Sequence, residues 1–338
     1  MDQQRRQWLT MALSAAGAAA WPAHAALSVS VALSARNSLY HLPLVLADRL
    51  GYFRQLGLQV QLIAHESGHA AVGSVLKGQA DVLAGAFEHV FELQRRGQSF
   101  QAFAQMTATP MVSLGVTGSR SGLRSWQELK SARIGVSALH SGTHWMSSLW
   151  LLRHGVQPQD VSFVEVGTSA TALGALWEGQ VDALCNPDPV MHWLEQRGEV
   201  RVIAEARTHS GVHQLAAGPL PGGCLMAREE FLSRQPQVAQ SLADGVLHAL
   251  RWLQTAGPTD LFKTVPVAPW ITDRSVYLGA MEKLREAFPR DALMHEDAVL
   301  NASRQHARVA LTSPGGRAYS PRLFTNAFVS RSRPRTAG

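Results

Sequence analysis

Segments typical of strands alternate with segments typical of helices along most of this chain, and this alternation constrains the fold more than any other feature. Leu27–Leu33 alternates apolar and polar residues at a period of two, as a half-buried strand does. Residues 43–50 then have helical spacing and end at Gly51, a residue suited to a helix C-terminus. The same order recurs up to residue 204, which predicts an α/β fold with mostly parallel sheets.

An eight-residue pattern occurs twice in this region. Residues 76–83 (LKGQADVL) and 177–184 (WEGQVDAL) share Gly, Gln, Asp and Leu in register. In each copy the glycine ends a helix, because it adopts the left-handed conformation easily, and the aspartate begins a buried strand. Common turn chemistry accounts for each copy singly, whereas two lobes built on one plan account for both. The sequence leaves these two interpretations open.

The N-terminal segment, residues 1–25, has the pattern of an export signal. Arg5 and Arg6 precede an alanine-rich apolar stretch at 8–20, and the AHA run at 23–25 has small residues where a signal peptidase cuts. The run RRQWL at 5–9 is also typical of a twin-arginine signal. We therefore expect cleavage near Ala25 and a periplasmic protein. We expect no stable membrane insertion, because no later apolar run approaches about 18 residues.

Composition excludes several classes of protein. The 338-residue chain is 46% hydrophobic and 17% charged, which excludes disorder of the whole chain. The net charge is +6, but no block of Lys and Arg indicates a nucleic-acid surface. Two cysteines exclude a disulfide scaffold and a four-thiolate zinc site. An oxidising compartment would permit a Cys185–Cys224 disulfide, although two buried free thiols are the favoured interpretation. The Ser-, Pro- and Arg-rich tail at 313–338 is expected to be partly disordered.

Four short motifs carry a resemblance to a known family. Residues 43–53 (PLVLADRLGYF) match a P-x-x-x-A-x-x-x-G-Y-F pattern, and residues 56–60 (LGLQV) match x-G-L-x-V. Residues 78–82 and 179–183 match G-x-x-D-V/A. In this order the motifs resemble the periplasmic solute-binding proteins of ABC importers for nitrate, sulfonates, taurine and thiamine pyrimidines. The resemblance covers most of residues 27–300.

The resemblance implies a type II periplasmic binding protein fold, in which two α/β lobes are joined by two crossing strands. Lobe 1 would comprise residues 26–112 and 216–312, and lobe 2 residues 113–215. The crossings would lie at 111–116 and 213–217.

The resemblance also implies a function. The protein would be a monomeric receptor that captures a small organic solute by hinge closure and delivers it to an inner-membrane permease and its ATPase. The solute would be anionic, like a sulfonate or carboxylate, or heteroaromatic. No catalytic residue, cofactor or metal is expected. Synthases of the thiamine pyrimidine share the fold but carry a Cys-rich loop, which the two isolated cysteines of this chain do not provide.

Ligands of open α/β sheets bind beyond the carboxyl ends of the strands, and helix N-termini there favour anions. The run Ser141-Gly142-Thr143 is the best such cradle, because glycine admits close approach and the hydroxyl groups add donors. A carboxylate at Glu88 would disfavour an anion unless it pairs with histidines or with an amine of the ligand. The candidate ligand-binding residues are Asn37, Ser38, His41, His65, Ser67, Gly68, Gly85, Ala86, Glu88, His140, Ser141, Gly142, Thr143, Thr168, Asn186 and Asp188.

One motif favours another class of protein. His65-Glu66-Ser67-Gly68-His69 spells H-E-x-x-H, the zinc motif of a metalloprotease, so a secreted zinc-dependent hydrolase is an alternative. That chemistry needs both histidines on one face of a continuous helix. Here the run follows a predicted strand, so the histidines are not expected to share a face. A ligand-sensing partner of a membrane receptor is a further alternative, and several other histidines in the cleft loops leave a metal chelate open as ligand.

Overall fold

The computed structural model describes residues 27–120, 122–271, 273–310 and 322–332. The predicted export signal at 1–25 lies outside the described residues, as does most of the tail predicted to be disordered. Within the described ranges, no helix combines the length and the apolar character needed to cross a bilayer.

The strands and helices follow the alternation expected from the sequence. The strands are β1 (Leu27–Leu33), β2 (Leu58–Ala64), β3 (Val82–Ala86), β4 (Phe100–Gln105), β5 (Val112–Thr117), β6 (Arg133–Val136), β7 (Ser162–Glu165), β8 (Ala183–Pro187), β9 (Val200–Glu205) and β10 (Gly223–Arg228). The α-helices are α1 (Leu42–Arg49), α2 (Tyr52–Gln55), α3 (Gly68–Leu76), α4 (Glu88–Arg95), α5 (Gly142–Arg153), α6 (Ala170–Trp177), α7 (Val190–Gln196), α8 (His209–Ala216), α9 (Glu229–Arg234), α10 (Pro236–Thr255), α11 (Pro258–Thr264), α12 (Ser275–Leu284) and α13 (Glu296–Ala310).

The strands form two five-stranded sheets with the same plan. The order is β2-β1-β3-β10-β4 in one sheet and β7-β6-β8-β5-β9 in the other. In each sheet the fourth strand is antiparallel to both neighbours, so the sheets are mixed rather than purely parallel. Each of these antiparallel strands follows a passage of the chain from one sheet to the other. This arrangement confirms the expected type II fold of two lobes, here called lobe 1 (β1–β4 and β10) and lobe 2 (β5–β9).

The aspartate of the sequence repeat connects two neighbouring strands in each lobe. Asp81 Oδ2 accepts a hydrogen bond from the backbone N–H of Ser30 at 2.8 Å, which connects β3 to β1. Asp182 Oδ2 accepts one from the backbone N–H of Arg133, also at 2.8 Å, which connects β8 to β6. Gly78 and Gly179 both have positive φ angles, as the helix ends require. Two lobes built on one plan is therefore the correct interpretation of the repeat.

Two local expectations were wrong. A strand and chain crossing were expected near 213–217, but α8 occupies this segment. Thr208 caps the helix by accepting a hydrogen bond from the Gly211 N–H at 3.1 Å, and Val212, Leu215 and Ala216 form its buried face. The helix α11 was not predicted, because its seven residues are too short to show a clear period.

The two cysteines are free and buried, which confirms the favoured interpretation. Cys185 lies in β8 of lobe 2 and Cys224 in β10 of lobe 1, so they belong to different sheets. Burial raises the pKa of the Cys185 thiol to about 12. Both thiols therefore act as small apolar side chains in the two cores.

Candidate functional site

A cavity of about 50 Å³ lies between the lobes, at the carboxyl ends of the strands. We call it the inner cavity. Many of the predicted ligand residues line it: His41, Gly68, Gly85, Ala86, Glu88, Ser141, Gly142, Thr143 and Thr168. Other lining residues were not among those predicted: Ser34, Tyr40, His89, Pro110, Val112, Ser137, Met146 and Pro187.

Lobe 1 contributes two buried histidines to the inner cavity. His41 Nε2 lies 2.8 Å from Ser34 Oγ, while its buried Nδ1 has no hydrogen-bond partner among the described residues. His89 packs against Gly68, where a Cβ atom would lie only 2.7 Å from His89 Nε2. Burial lowers the pKa of His41 to about 3 and that of His89 to about 4. Both imidazoles are therefore neutral at physiological pH and supply no positive charge to the cavity.

Glu88 is the acidic side chain in this wall. It is the first residue of α4, directly beyond β3, and its carboxyl group is partly exposed to the cavity. Burial raises the pKa of this carboxyl to about 7. Within the described part of the chain, no lysine or arginine lines the inner cavity. A carboxyl group close to half-ionised at neutral pH thus lacks a cation of the protein beside it.

Tyr40 is a site residue that the sequence analysis missed. Its hydroxyl group is buried and has no hydrogen-bond partner within the described ranges. The side chain faces the inner cavity from the turn between Ser38 and His41, both of which were predicted. Its position between the candidates Ser38 and His41 could have indicated that it lines the site. An aromatic residue at this position is, however, equally consistent with a place in the core.

Lobe 2 contributes a cluster of hydroxyl groups. Ser141 Oγ donates to the carbonyl oxygen of Ala138 at 2.7 Å and accepts from Ser137 Oγ at 2.8 Å. Thr143 Oγ1 accepts from the backbone N–H of Ser137 at 2.8 Å. The Ser141 hydroxyl is therefore engaged within its own loop, where it caps α5, rather than held ready as a donor for a ligand. The role of Ser141 as a ligand contact stays a prediction.

A carboxyl group of lobe 1 lies close to the N-terminus of α5. Glu88 Oε1 and Ala86 Cβ from lobe 1 lie so close to Gly142 that a Cβ atom there would collide with both. A negative charge is favourable at a helix N-terminus, because the free N–H groups and the helix dipole both attract it. Glu88 therefore lies beside the place that the sequence analysis assigned to an anionic ligand.

The other predicted residues do not line the inner cavity: Asn37, Ser38, His65, Ser67, His140, Asn186 and Asp188. Ser67 caps α3 by accepting from the Ala70 N–H at 3.2 Å, and Asn186 Nδ2 donates to the Gly167 carbonyl at 3.0 Å. These two residues therefore shape the loops. Their role as ligand contacts stays a prediction.

Asp188 joins the two lobes. Its carbonyl oxygen accepts hydrogen bonds from the Leu39 N–H at 3.1 Å and from Ser38 Oγ at 3.4 Å. Its carboxylate accepts from the His192 N–H at 2.8 Å and lies 3.6 Å from Arg207 Nη1, and both side chains of this ion pair are fully buried. The residue therefore has a structural role on the hinge side of the cleft.

The H-E-x-x-H run does not form the zinc motif. His65 directly follows β2, Ser67 has extended backbone angles, and α3 begins only at Gly68. His65 and His69 consequently do not share a helical face. Throughout the described residues, no group of three or more His, Cys, Asp or Glu side chains is arranged to hold a metal ion.

These features define a type II periplasmic binding protein with a cavity between its lobes. A sequence profile of the family described as NMT1/THI5 like matches residues 38–256, which is more than half of the chain. The chain therefore belongs to the NMT1/THI5-like family of solute-binding proteins, as the motifs predicted.

Known proteins show the range of this family and fold. A solved protein from Bordetella bronchiseptica RB50 is 34% identical, with a TM-score of 0.86 over 90% of this chain and 96% of that one. The alkanesulfonate-binding protein SsuA from Xanthomonas axonopodis pv. citri, solved with MOPS, is 16% identical, with a TM-score of 0.68 over 86% and 94%. A 4-amino-5-hydroxymethyl-2-methylpyrimidine phosphate synthase from Schizosaccharomyces pombe is 22% identical over 58% of this chain and 57% of its own length.

Proposed function

We propose that this protein is the periplasmic solute-binding component of an ABC importer, which delivers its ligand to an inner-membrane permease and its ATPase. The observation that carries the proposal is the inner cavity, which is lined by residues of both lobes and by polar side chains that lack partners among the described residues. Tyr40 Oη and His41 Nδ1 are buried and unpartnered among the described residues. Leaving buried polar groups unpaired costs about 1–3 kcal/mol each, so such groups indicate a place for a ligand.

Closure by the ligand is the mechanism that the contacts support. Thr168 Oγ1 of lobe 2 donates to the Glu66 carbonyl of lobe 1 at 3.4 Å, and Leu39 of lobe 1 donates to Asp188 of lobe 2. A solute that touches both lobes binds the closed state better than the open state and shifts the population toward it. The permease can then distinguish the loaded receptor by its closed shape.

We infer that the solute carries N–H donors and is neutral or cationic, which favours the nitrogen-heterocyclic or amino class over sulfonates and other anions. Glu88 already places a carboxyl group at the N-terminus of α5, and neither cavity histidine is charged. An anion would therefore meet a carboxylate without a compensating cation. A volume of about 50 Å³ accommodates about four water-sized groups, so the group inside the inner cavity is small.

Binding rather than catalysis fits the chemistry of the cavity. The nearest approach to a nucleophile and base is the Ser34–His41 pair at 2.8 Å. A pKa of about 3 makes His41 a weak base at neutral pH. A general base works best when its pKa lies near the operating pH. We therefore assign this pair a role in shaping the cavity, with no reaction and no resident cofactor.

Isothermal titration calorimetry on the mature protein tests the ligand class. We expect acetamidine, which has N–H donors and a positive charge, to bind, and taurine and nitrate not to bind. Replacing the carboxylate by an amide in Glu88→Gln should weaken acetamidine by about tenfold or more, since hydrogen bonds to charged groups are worth about 1.5–3 kcal/mol.

The variant Glu88→Ala provides the complementary test. It frees the N-terminus of α5, so weak binding of nitrate or taurine should appear where the wild-type protein has none. Tight binding of taurine or nitrate to the wild-type protein, unaffected by Glu88→Ala, would refute the inferred ligand class. An exposed change such as Glu230→Gln, far along the chain on α9, should leave all these affinities unchanged.

A further inference from the structure

A second cavity adjoins the inner one. It has a volume of about 150 Å³ and shares Glu88 and Ser141 with the inner cavity as lining residues. We call it the outer cavity. Its walls come from three elements, α4 of lobe 1, α5 of lobe 2 and α13, which packs against both. The proposed function does not use this space.

Aromatic rings form part of the walls of the outer cavity, beside charged and hydroxyl side chains. The rings of Trp145 and His306 lie nearly parallel with centroids 6.2 Å apart, and His144 packs edge-on against Phe163 at 4.4 Å. Burial lowers the pKa values of His144 and His306 to about 4, so both rings are neutral at physiological pH. Such walls suit a flat ring, because aromatic faces and edges pack favourably at these distances.

One polar atom in these walls lacks a partner. Trp145 is 8% exposed, and its indole Nε1–H is buried without a hydrogen-bond acceptor among the described residues. Buried tryptophan N–H groups normally find an acceptor. Several other polar groups in these walls are engaged: Glu92 pairs with Arg95 and Arg96 at 3.0 and 2.8 Å, and His144 Nδ1 accepts from the His140 N–H at 2.9 Å.

The size of the outer cavity matches one ring. An apolar protein cavity of about 150 Å³ is large enough to bind benzene. The inner cavity is smaller, whereas the outer cavity has Trp145, whose indole N–H lacks an acceptor among the described residues. Glu88 stands between them and belongs to both.

We propose that the outer cavity is a second subsite for the same solute, which holds an aromatic ring bearing a hydrogen-bond acceptor that receives the Trp145 Nε1–H. The N–H donor group of the solute then lies on Glu88 in the inner cavity. This inference rests on the proposed function and sharpens its ligand class. The solute is a two-part molecule, with a small donor head and a heteroaromatic or acceptor-substituted aromatic ring.

Three amidines test the contributions of the donor head, the ring and the ring acceptor one at a time. Acetamidine has only the donor head, benzamidine adds a ring, and pyridine-3-carboxamidine adds a ring with an acceptor. Titration of the wild-type protein should show benzamidine binding at least about tenfold more tightly than acetamidine, because burial of a ring removes apolar surface from water. The pyridine compound should bind about fivefold more tightly still, through one additional hydrogen bond.

Trp145→Phe keeps an aromatic ring and removes the N–H donor. It should abolish the advantage of the pyridine compound over benzamidine while leaving acetamidine unchanged. Trp150→Phe, on the same helix but away from both cavities, is the matched control and should change none of the three affinities. Circular dichroism melting verifies that each variant is folded.

A direct readout does not depend on the variant's stability. In ¹⁵N–¹H spectra of the wild-type protein, the Trp145 indole resonance should shift with pyridine-3-carboxamidine far more than with acetamidine. If neither aromatic probe moves this resonance, the second subsite is refuted, whether or not acetamidine binds. Binding of acetamidine in that case leaves the proposed function intact, so the two failures are distinguishable.

Discussion

Two carboxylates at nearly equivalent places in the lobes have opposite roles. Glu88 follows β3 of lobe 1 and Asp188 follows β8 of lobe 2, and both strands begin at the aspartate of the repeat. Asp188 is fully buried, caps α7 and pairs with Arg207. In the part of the chain that the structure describes, Glu88 meets no cation in the inner cavity, and it faces the space assigned to the solute. Asp188 therefore stabilises the fold, and Glu88 can contact the solute.

The difference arises from a residue outside the repeat. Arg207 lies two positions beyond the end of β9 in lobe 2, and Thr107 lies two positions beyond the end of β4 in lobe 1. Thr107 uses its hydroxyl group to accept from the Gly223 N–H at 2.6 Å, and it has no charge to offer. Equivalent strands thus present a guanidinium group in one lobe and a neutral hydroxyl group in the other. Burial raises the pKa of both carboxyl groups, and at Asp188 the nearby Arg207 guanidinium opposes this rise.

Replacing Arg207, the cation that pairs with Asp188 in lobe 2, should have the largest effect. Arg207→Met leaves the carboxylate of Asp188 buried without its partner, so the free energy of unfolding should fall by about 3–5 kcal/mol. Urea denaturation followed by circular dichroism measures the loss. Arg234→Met removes an arginine that is 76% exposed and should cost less than about 0.5 kcal/mol. Equal effects of the two variants would show that Asp188 does not depend on Arg207.

Filling the space beside Glu88 should have the next largest effect. Gly142→Val places a branched side chain against Glu88 and Ala86, which obstructs closure of the lobes. Acetamidine affinity should fall on the order of 100-fold, because apparent affinity decreases with the fraction of closed protein. Gly174→Ala, at a helical glycine of the same lobe with open space around it, should leave the affinity unchanged. An unchanged affinity in Gly142→Val would place ligand binding away from this contact.

Glu88→Gln should change the free energy of unfolding in a way that depends on pH. The pKa of Glu88 is raised to about 7 in the folded protein, above about 4.3 in the unfolded chain. The stabilisation from this group is therefore present below about pH 4.3 and is lost as the pH rises through 7. In the ligand-free protein, Glu88→Gln should increase the free energy of unfolding by about 1–3 kcal/mol at pH 8 and have little effect at pH 4.

Urea titrations at the two pH values measure this change. The control Glu230→Gln removes a carboxylate that is 63% exposed and should produce no pH-dependent gain. A gain in Glu88→Gln that is equal at both pH values would mean that the charge of Glu88 is not responsible.

The smallest expected effect concerns an exposed ion pair between the lobes. Lys283 Nζ of lobe 1 lies 2.9 Å from Glu195 Oε2 of lobe 2, and the lysine side chain is 42% exposed. Lys283→Met should change the free energy of unfolding by less than about 1 kcal/mol, because solvent screens such pairs. Differential scanning calorimetry in low and high salt checks this value. A loss as large as that in Arg207→Met would show that the whole charge network acts as one unit.

Much of the fold could be predicted because its signals are local. The period of Leu27–Leu33, the glycine helix ends and the repeated Gly-x-x-Asp turns each depend on neighbouring residues, and the structure confirms them. The segment around 213–217 was mistaken for a strand because its helical face is short and its cap, Thr208, lies seven residues before Leu215. Short helices are decided more by tertiary packing than by propensity.

The site could be located from sequence but its chemistry could not. The strand ends predicted His41, Glu88 and Gly142, which line the inner cavity, because parallel strands bring their carboxyl ends to one edge. The role of Ser141 depended on a hydrogen bond within its loop, and the role of Asp188 on Arg207, which is 19 residues away in the chain. A pattern of neighbouring residues in the sequence does not identify these interaction partners.

The sequence by itself determined a two-lobed α/β chain of the NMT1/THI5-like family with a cleft at the strand ends, because periodicity, turns and motifs are properties of short segments. Only the tertiary structure decided which carboxylate is paired and which is free. It also decided that Glu88 of one lobe lies close to a helix N-terminus of the other, and that the Trp145 indole N–H has no acceptor among the described residues. These are contacts between distant residues, whose energies exist only once the lobes close on each other.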